Sequence, residues 1–547
     1  MNNFLSAIKK FNAVPLYLFP LLYLFIGVYF KILVGDLSLT SVDPDYVYFL
    51  SGVSISEGYL KIGHIDHPGS PLQYLIAIVL RITYLFRKDA GIPYLEDILS
   101  HSDLYVSVVN ITLTVVMSIS LLIAGKYVFR KTGSVVYGMI IQTVPFIPFI
   151  WYQLIGRIVP ELLLPIPIIA LSAFLLGHFV DKKEKFDTRD LIILSVIMAF
   201  SLSIKLTMIS LWLIPIVIVK PWRSKLLVIA LSFFLFLVFA IPATIQIDRF
   251  WSWISNLFVH SGNYGSGSKN IVDIISFKSN FNKITQLYKH FTYLVVFQLL
   301  LIPVSFFWFR KKQYDFKKIY LIVSVFFTIL IQAFITAKHY APHYFIPGLL
   351  LGPLLLLLSI DIIKEYYPGR ALVILSNIFL VIVIYWHINQ QLINVNYASQ
   401  GVGNHVSARE ETRHYAKTFE KESIKIITSQ GYGCPLPEYA ILFSTAWLAN
   451  PLKPRYNEIL ARLYPNTYQY TTFDDRFRFW GEEFNPQKII EQKIPVYLYL
   501  EYDTDELYNK TIAKVFGDST NFRVEKQLIF HNEKNGEGLL KLLISNK

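Results

Sequence analysis

Residues 42–75, "VDPDYVYFLSGVSISEGYLKIGHIDHPGSPLQYL", follow a long apolar run and bring Asp43, Asp45, Asp66, His64 and His67 close to a membrane border. Ionisable groups there are costly unless water, a partner or a substrate receives them. Three later segments carry more of them: Arg157 and Glu161 in "GRIVPELLLP", Lys205 in "LSIKLTM", and His339, Tyr340, His343 and Tyr344 in "AKHYAPHYFIP". Acids and cations gathered at a lipid boundary suit group transfer from a lipid phosphate. A carboxylate can take the acceptor's proton, while Lys, Arg and His offset charge on the departing phosphate.

Each group also has a plainer reading. Asp43 and Asp45 precede "YVYFLSGV", where either would cap a helix. His64, Asp66 and His67 have the types that hold a divalent metal ion, yet their spacing matches no strong metal motif, and ordinary loop hydrogen bonding competes. Arg157 and Glu161 stand four apart, as in a helical ion pair. Lys205 could snorkel to the interface, and His339 and His343 could pack beside their tyrosines. The run "GSGSKN" lacks the full G-x-x-x-x-G-K-[ST] pattern of a phosphate loop, which excludes nucleotide binding there.

The elements that must position these groups are membrane helices. The chain has 547 residues, 54% hydrophobic and 16% aromatic, with a mean hydropathy of +0.45. That describes a polytopic α-helical membrane protein. At about 20 apolar residues per span, about 11 transmembrane helices are expected, near 14–35, 104–125, 134–154, 159–180, 190–204, 206–220, 225–246, 289–309, 319–337, 344–363 and 370–388. The net charge of +13 is no nucleic-acid signal, because the Lys and Arg residues sit in short clusters between spans. With a cytoplasmic N-terminus, the clusters at Lys9/Lys10, Lys126–Lys131, Lys182–Lys185, Lys220–Lys225, Arg310–Lys312 and Lys364/Arg370 all fall on the cytoplasmic side. This holds only if "PLQYLIAIVLRITYLFRK" does not span, so it is read as an amphipathic interfacial helix.

The first external loop then runs over 36–103, and a second, rich in Trp, Gly and Ser, over 247–288, read as a mobile loop over the site. The membrane domain is expected to cover 1–388 and a soluble extracytoplasmic domain 389–547. In the latter, "KIIT", "VYLYLEY" and "GLLKLLIS" read as strands and "YAILFSTAWLA" as a helix, hence a small α/β or α+β domain. The single cysteine, Cys434, excludes an internal disulfide.

The stretch "DPDYVYFLSG…DHPGSPL" resembles the first external loop of the GT-C integral membrane glycosyltransferases. In the branch holding protein O-mannosyltransferases and the lipid A aminoarabinose transferase, an acidic pair precedes a Tyr-rich helix and a Pro-rich turn. "GRIVPELLL" is similar to that branch's Arg-then-acid second loop, "SIKLTM" to its lone Lys between short spans, and "HYAPHYFIPGLLL" to its Arg-Tyr-x-Leu-Pro element. Here the acidic pair is Asp43-Pro44-Asp45, and His339 or His343 stands where the family has Arg. The resemblance implies a polyprenyl-phosphate-linked sugar donor and inversion at the sugar carbon, with Asp43 or Asp45 as the base. It further implies donor contacts from Arg157, Glu161, Lys205, His339, Tyr340, His343 and Tyr344, with Asp66 and His67 lining the acceptor pocket. The acceptor would be an extracytoplasmic glycan, lipid or protein, at the plasma membrane (the inner membrane in a bacterium).

Three other functions compete. A transporter or flippase would spread its charges through the membrane depth and often carry paired repeats, whereas these gather on one face and no repeat is evident. An O-antigen ligase or polymerase would place its site on a late loop. A non-enzymatic scaffold would use the acids only as caps.

Overall fold

The computed structural model describes residues 13–87, 91–181, 185–262, 265–312, 317–517 and 521–547, without side chains at 309–312. Lys9, Lys10, Lys88, Lys182 and Lys183 therefore lie outside the described residues, as do the side chains of Arg310, Lys311 and Lys312. Among the described residues, eight helices are long and apolar enough to cross a membrane: Val14–Val34, Ser102–Thr132, Pro160–Val180, Trp222–Phe239, Lys289–Trp308, Lys317–Lys338, Pro342–Tyr366 and Arg370–Ala416. The protein is an integral, multi-pass membrane protein with a small C-terminal sheet domain.

Two of the eleven expected spans are broken, and a third, 190–204, is a single helix of 17 residues. Residues 134–154 break into Val135–Gln142, Val144–Phe146 and Trp151–Leu154. Pro145 and Pro148 lie in the interruption, where each removes a helical N–H donor. Residues 190–204 form one helix, Thr188–Ile204, opened by a reciprocal Asp187/Asp190 capping box. Residues 206–220 begin as a 3₁₀ helix, Leu206–Trp212, and finish as the short helix Leu213–Ile218. Pairing two short elements end to end leaves Lys205 at their junction, in extended backbone.

The segment expected to lie in the interface is the helix Ser70–Arg87. Leu72, Ile76, Val79 and Leu80 are buried against the protein, while Ile78, Ile82, Leu85 and Phe86 are exposed. Arg81 ties it down by pairing with Glu57 at 2.7 Å and lying 3.8 Å above the Tyr94 ring. Residues 247–288 are mostly helical rather than one long loop. Ile247–Val259 and Ile274–Leu287 flank a shorter connection, and the first of them is amphipathic.

No break marks residue 388. The last spanning helix, Arg370–Ala416, continues for 47 residues, about 70 Å of rise, and enters the C-terminal domain directly. Six strands follow: β1 (Ile424–Ser429), β2 (Thr467–Thr471), β3 (Arg476–Phe479), β4 (Val496–Leu500), β5 (Phe522–His531) and β6 (Gly538–Asn546). Their order is β3-β2-β1-β4-β6-β5, with β1 parallel to β2 and β4 and the remaining pairs antiparallel. The three expected strands are β1, β4 and β6, and the expected helix is Glu438–Ser444.

The sheet domain grips the loop that follows the first spanning helix. Cys434 N–H donates to Ser38 O at 2.8 Å, Asp43 N–H to Gly431 O at 3.1 Å, and Gly63 N–H to Trp447 O at 2.8 Å. Arg409 donates to Leu39 O at 2.5 Å while pairing with Glu537, and Arg413 pairs with Asp36 at 2.7 Å. A methyl group at Gly63 would stand 2.3 Å from Trp447 O, so only glycine permits this approach.

Candidate active site

The two aspartates of the first loop occupy opposite environments. Asp45 is fully buried at the first turn of the helix Asp45–Ser56. Its carboxylate accepts from Ser41 Oγ at 2.7 Å, from Arg157 Nε at 3.0 Å and Nη2 at 2.6 Å, and from Ile158 N–H at 2.5 Å. Both oxygens are engaged, one by a charged fork. No side chain caps this helix, so neither aspartate serves as the N-cap the sequence suggested. Arg157 does not pair with Glu161 four residues on; it reaches across to Asp45 and to Asp43 O.

Asp43 keeps its side chain in contact with solvent. The atoms crowded around it desolvate the carboxylate, and Asp45 and Asp66 repel it further. Together these outweigh the pull of Arg157 and raise its pKa to about 6. A carboxylate poised there is a competent proton acceptor near neutral pH.

Glu161 and Lys205 form the second anchor. They are 6% and 2% exposed and are joined by a hydrogen-bonded ion pair. Lys205 Nζ also lies 4.8 Å above the Tyr344 ring, and His343 Nε2 stands 4.0 Å from Glu161. An ammonium has three N–H donors, so the bond to Glu161 leaves it further donor capacity. His67 closes this wall, its ring 5.0 Å from Trp253 and 6.0 Å from Tyr344. Burial, Lys205, His64 and His343 hold the His67 pKa well below the imidazole range, with Glu161 opposing, so it is neutral at pH 7.

Tyr48 links the two halves. It is buried three residues after Asp45 on the same helix, and burial with the nearby charges of Glu161, Asp66 and Asp43 raises its pKa. Its ring lies edge-on to His64 at 4.7 Å. Gly69, at φ +63°, packs beneath it, where a Cβ would lie 2.5 Å from the ring. The loop is held from outside by Arg249, which donates to Gly63 O at 2.6 Å, and by Gln246, which donates to Ile62 O.

The fold therefore brings together Asp43, Asp45, Asp66, Arg157, Glu161, Lys205, His67, His343 and Tyr344. It leaves out His339, whose Nε2 bonds Leu257 O at 2.9 Å, and Tyr340, whose ring lies 5.5 Å from Lys283 Nζ. Among the described residues no three His, Cys, Asp or Glu side chains are grouped to hold a metal ion, and His64, Asp66 and His67 do not converge. The His64 ring faces Tyr48 and the His67 ring faces Trp253 instead. Sequence reasoning missed Tyr48, Trp253 and Ser41. Tyr48 was recoverable from its i+3 spacing to Asp45, while the other two depend on contacts across the fold.

Beside Ser41 and Arg157 opens a cavity of about 240 Å³, mainly apolar, between the first spanning helix and the long helix Arg370–Ala416. Phe30, Val34, Tyr152 and Tyr397 line it, and Thr40 and His405 add polar groups.

Neither a protein-family model nor a curated protein matches the sequence. Similar solved structures are the crystal structure of ArnT from Cupriavidus metallidurans bound to undecaprenyl phosphate and the same protein in the apo state. Identities are 10% and 11%, and both give a TM-score of 0.46 over 94% of this chain and 97% of that chain.

Proposed function

We propose that this protein is a GT-C-type membrane glycosyltransferase that moves a sugar from a polyprenyl-phosphate donor to an extracytoplasmic acceptor with inversion. Asp43 is the general base. The observation that carries this reading is the unequal treatment of the two aspartates: Asp45 is saturated by four donors, whereas Asp43 is open to solvent with a pKa near 6. Asp43 removes the proton of an acceptor hydroxyl as that oxygen attacks the anomeric carbon. The bond from that carbon to the phosphate oxygen breaks, and the electron pair leaves on the polyprenyl phosphate.

Lys205, fixed by Glu161, and the neutral His67 and His343 rings donate to the phosphate as charge builds on it. Arg157 holds Asp45 and so fixes the turn that presents Asp43. The apolar cavity beside Arg157 suits a hydrocarbon chain of one of the two substrates. In this orientation the N-terminus is cytoplasmic and the sheet domain extracytoplasmic, forming one wall of the catalytic loop.

The decisive experiment is transfer from a panel of polyprenyl-phosphate sugars by the purified wild type and Asp43→Asn. Transfer confined to the wild type is expected; equal rates in both proteins sink the base assignment. Cysteine-accessibility labelling of residues 389–547 tests the orientation.

A further inference from the structure

The sheet of the C-terminal domain ends against the loop that carries Asp43. Asp43 N–H donates to Gly431 O at 3.1 Å, and Ser41 pairs with Tyr432 in an isolated antiparallel bridge. Gly431 and Tyr432 directly follow β1, which lies between β2 and β4 and runs parallel to both. The chain therefore crosses first to one side of β1 and later to the other. In open α/β sheets, ligands bind outside the carboxyl ends of the strands at such a reversal. Here that end of the sheet is the one beside Asp43.

Each of the three parallel strands is followed at this end by an exposed aromatic residue. Tyr432 follows β1, Phe473 follows β2 and Tyr502 follows β4, and they are 58%, 60% and 48% exposed. Neighbouring strands stand about 4.8 Å apart, so the three residues rise from a row about 10 Å long. Phe443 backs the row from beneath Gly431, its ring 6.3 Å from Phe473 and 5.0 Å from Trp447. The Trp447 carbonyl in turn accepts from Gly63 N–H. The row is thus tied at two points to the loop that presents Asp43. Exposed aromatic side chains gathered in this way mark an interaction surface. Among the described residues, the Tyr432 and Tyr502 hydroxyls and the exposed Gln430 side-chain amide make no hydrogen bond. Aromatic faces pack against the C–H faces of sugar rings, while hydroxyls and amides exchange hydrogen bonds with sugar hydroxyls. A peptide bound by strand addition needs an open sheet edge, and both edges of β1 are taken. A lipid chain needs a continuous apolar lining, which these polar groups interrupt. Asp43 and Asp66, on the loop beside the row, disfavour an anionic ligand.

We propose that the row Phe473–Tyr432–Tyr502 is the docking site of a neutral glycan, the acceptor whose terminal hydroxyl reaches Asp43. That the glycan is the acceptor rests on the transferase reading above; that a glycan binds rests on the row alone.

Saturation-transfer difference NMR on the full chain in a sugar-free detergent tests the binding, with maltotriose, chitotriose and mannotriose as neutral probes. At least one trisaccharide should bind the wild type, and the double variant Tyr432→Ala, Phe473→Ala should weaken it by about tenfold. Phe473→Tyr keeps the ring and should retain binding, which separates loss of the aromatic face from misfolding. Asp43→Asn should also bind, because the row is intact. In transfer assays the double variant should raise acceptor KM and leave donor KM unchanged. No binding of any trisaccharide by the wild type overturns the proposal, as does binding unchanged in the double variant. Transfer to a peptide or lipid acceptor that the double variant leaves unchanged likewise overturns it. Glycan binding without transfer from any donor overturns the transferase reading, and the acceptor role with it, while the glycan site stands.

Discussion

Asp43 and Asp45 are two residues apart in one loop, yet the fold spends four hydrogen-bond donors on Asp45 and leaves Asp43 facing solvent among like charges. The same division recurs across the site. Glu161 is buried against Lys205, whereas Asp66 is half-buried. A buried carboxylate with a full set of donors is a structural tie, because proton uptake would cost it those bonds. A crowded carboxylate lacking such donors can exchange a proton near neutral pH. Chemical type alone does not distinguish a base from an anchor; the donor count around each carboxylate does.

The largest effect should separate the two aspartates by activity against stability. Asp43→Asn removes the proposed base, so turnover should fall by roughly 10²–10⁴, the usual share of general acid–base catalysis. Its thermal midpoint should not fall, because the change removes a carboxylate that its neighbours repel. Asp45→Ala should behave differently, leaving Arg157 and Ile158 N–H without their acceptor. A loss of about 3–5 kcal/mol is expected for breaking a buried pair, read as a lowered midpoint in detergent. An Asp45→Ala protein as stable as wild type would undo the comparison.

Lys205 comes next. Lys205→Met strands Glu161 and removes the ammonium proposed to meet the donor phosphate. Donor KM should rise by about tenfold, roughly 1.4 kcal/mol of binding, while acceptor KM stays nearly constant. A change confined to acceptor KM would move Lys205 away from the donor.

The sequence carried the ionisable inventory and the helical architecture, because apolar run length and basic flanks are local signals. "KIIT" and "GLLKLLIS" were likewise legible as strands, being apolar runs of β-prone composition. The strand Phe522–His531 was not, since as a sheet edge it carries Arg523, Glu525 and Lys526 and lacks an apolar pattern. The span expected over 134–154 failed because hydropathy averages across Pro145 and Pro148, which break the helix without lowering the mean. Site partners were less legible. Arg157 lies four residues from Glu161 but 112 from Asp45, and it pairs with the distant one. Nothing local separates His339 from His343 either; only the packing of Ile247–Val259 turns one ring away from the site.

The smallest effect is a pH shift, and it tests the open half of the comparison most directly. As a base, Asp43 works only when ionised, so kcat should fall as pH drops through about 6. Donor binding should move the other way, because protonating Asp43 removes a negative charge from the site proposed to admit a phosphate. Asp66 is one of the charges that raise the Asp43 pKa, so Asp66→Asn should move the break in the kcat profile below 6. Arg157→Lys gives the opposite test: weakening the guanidinium's hold should lift the break, since Arg157 is what pulls the Asp43 pKa down. A break that stays near 6 in both variants would belong to another group, and the difference between the two aspartates would then concern structure alone.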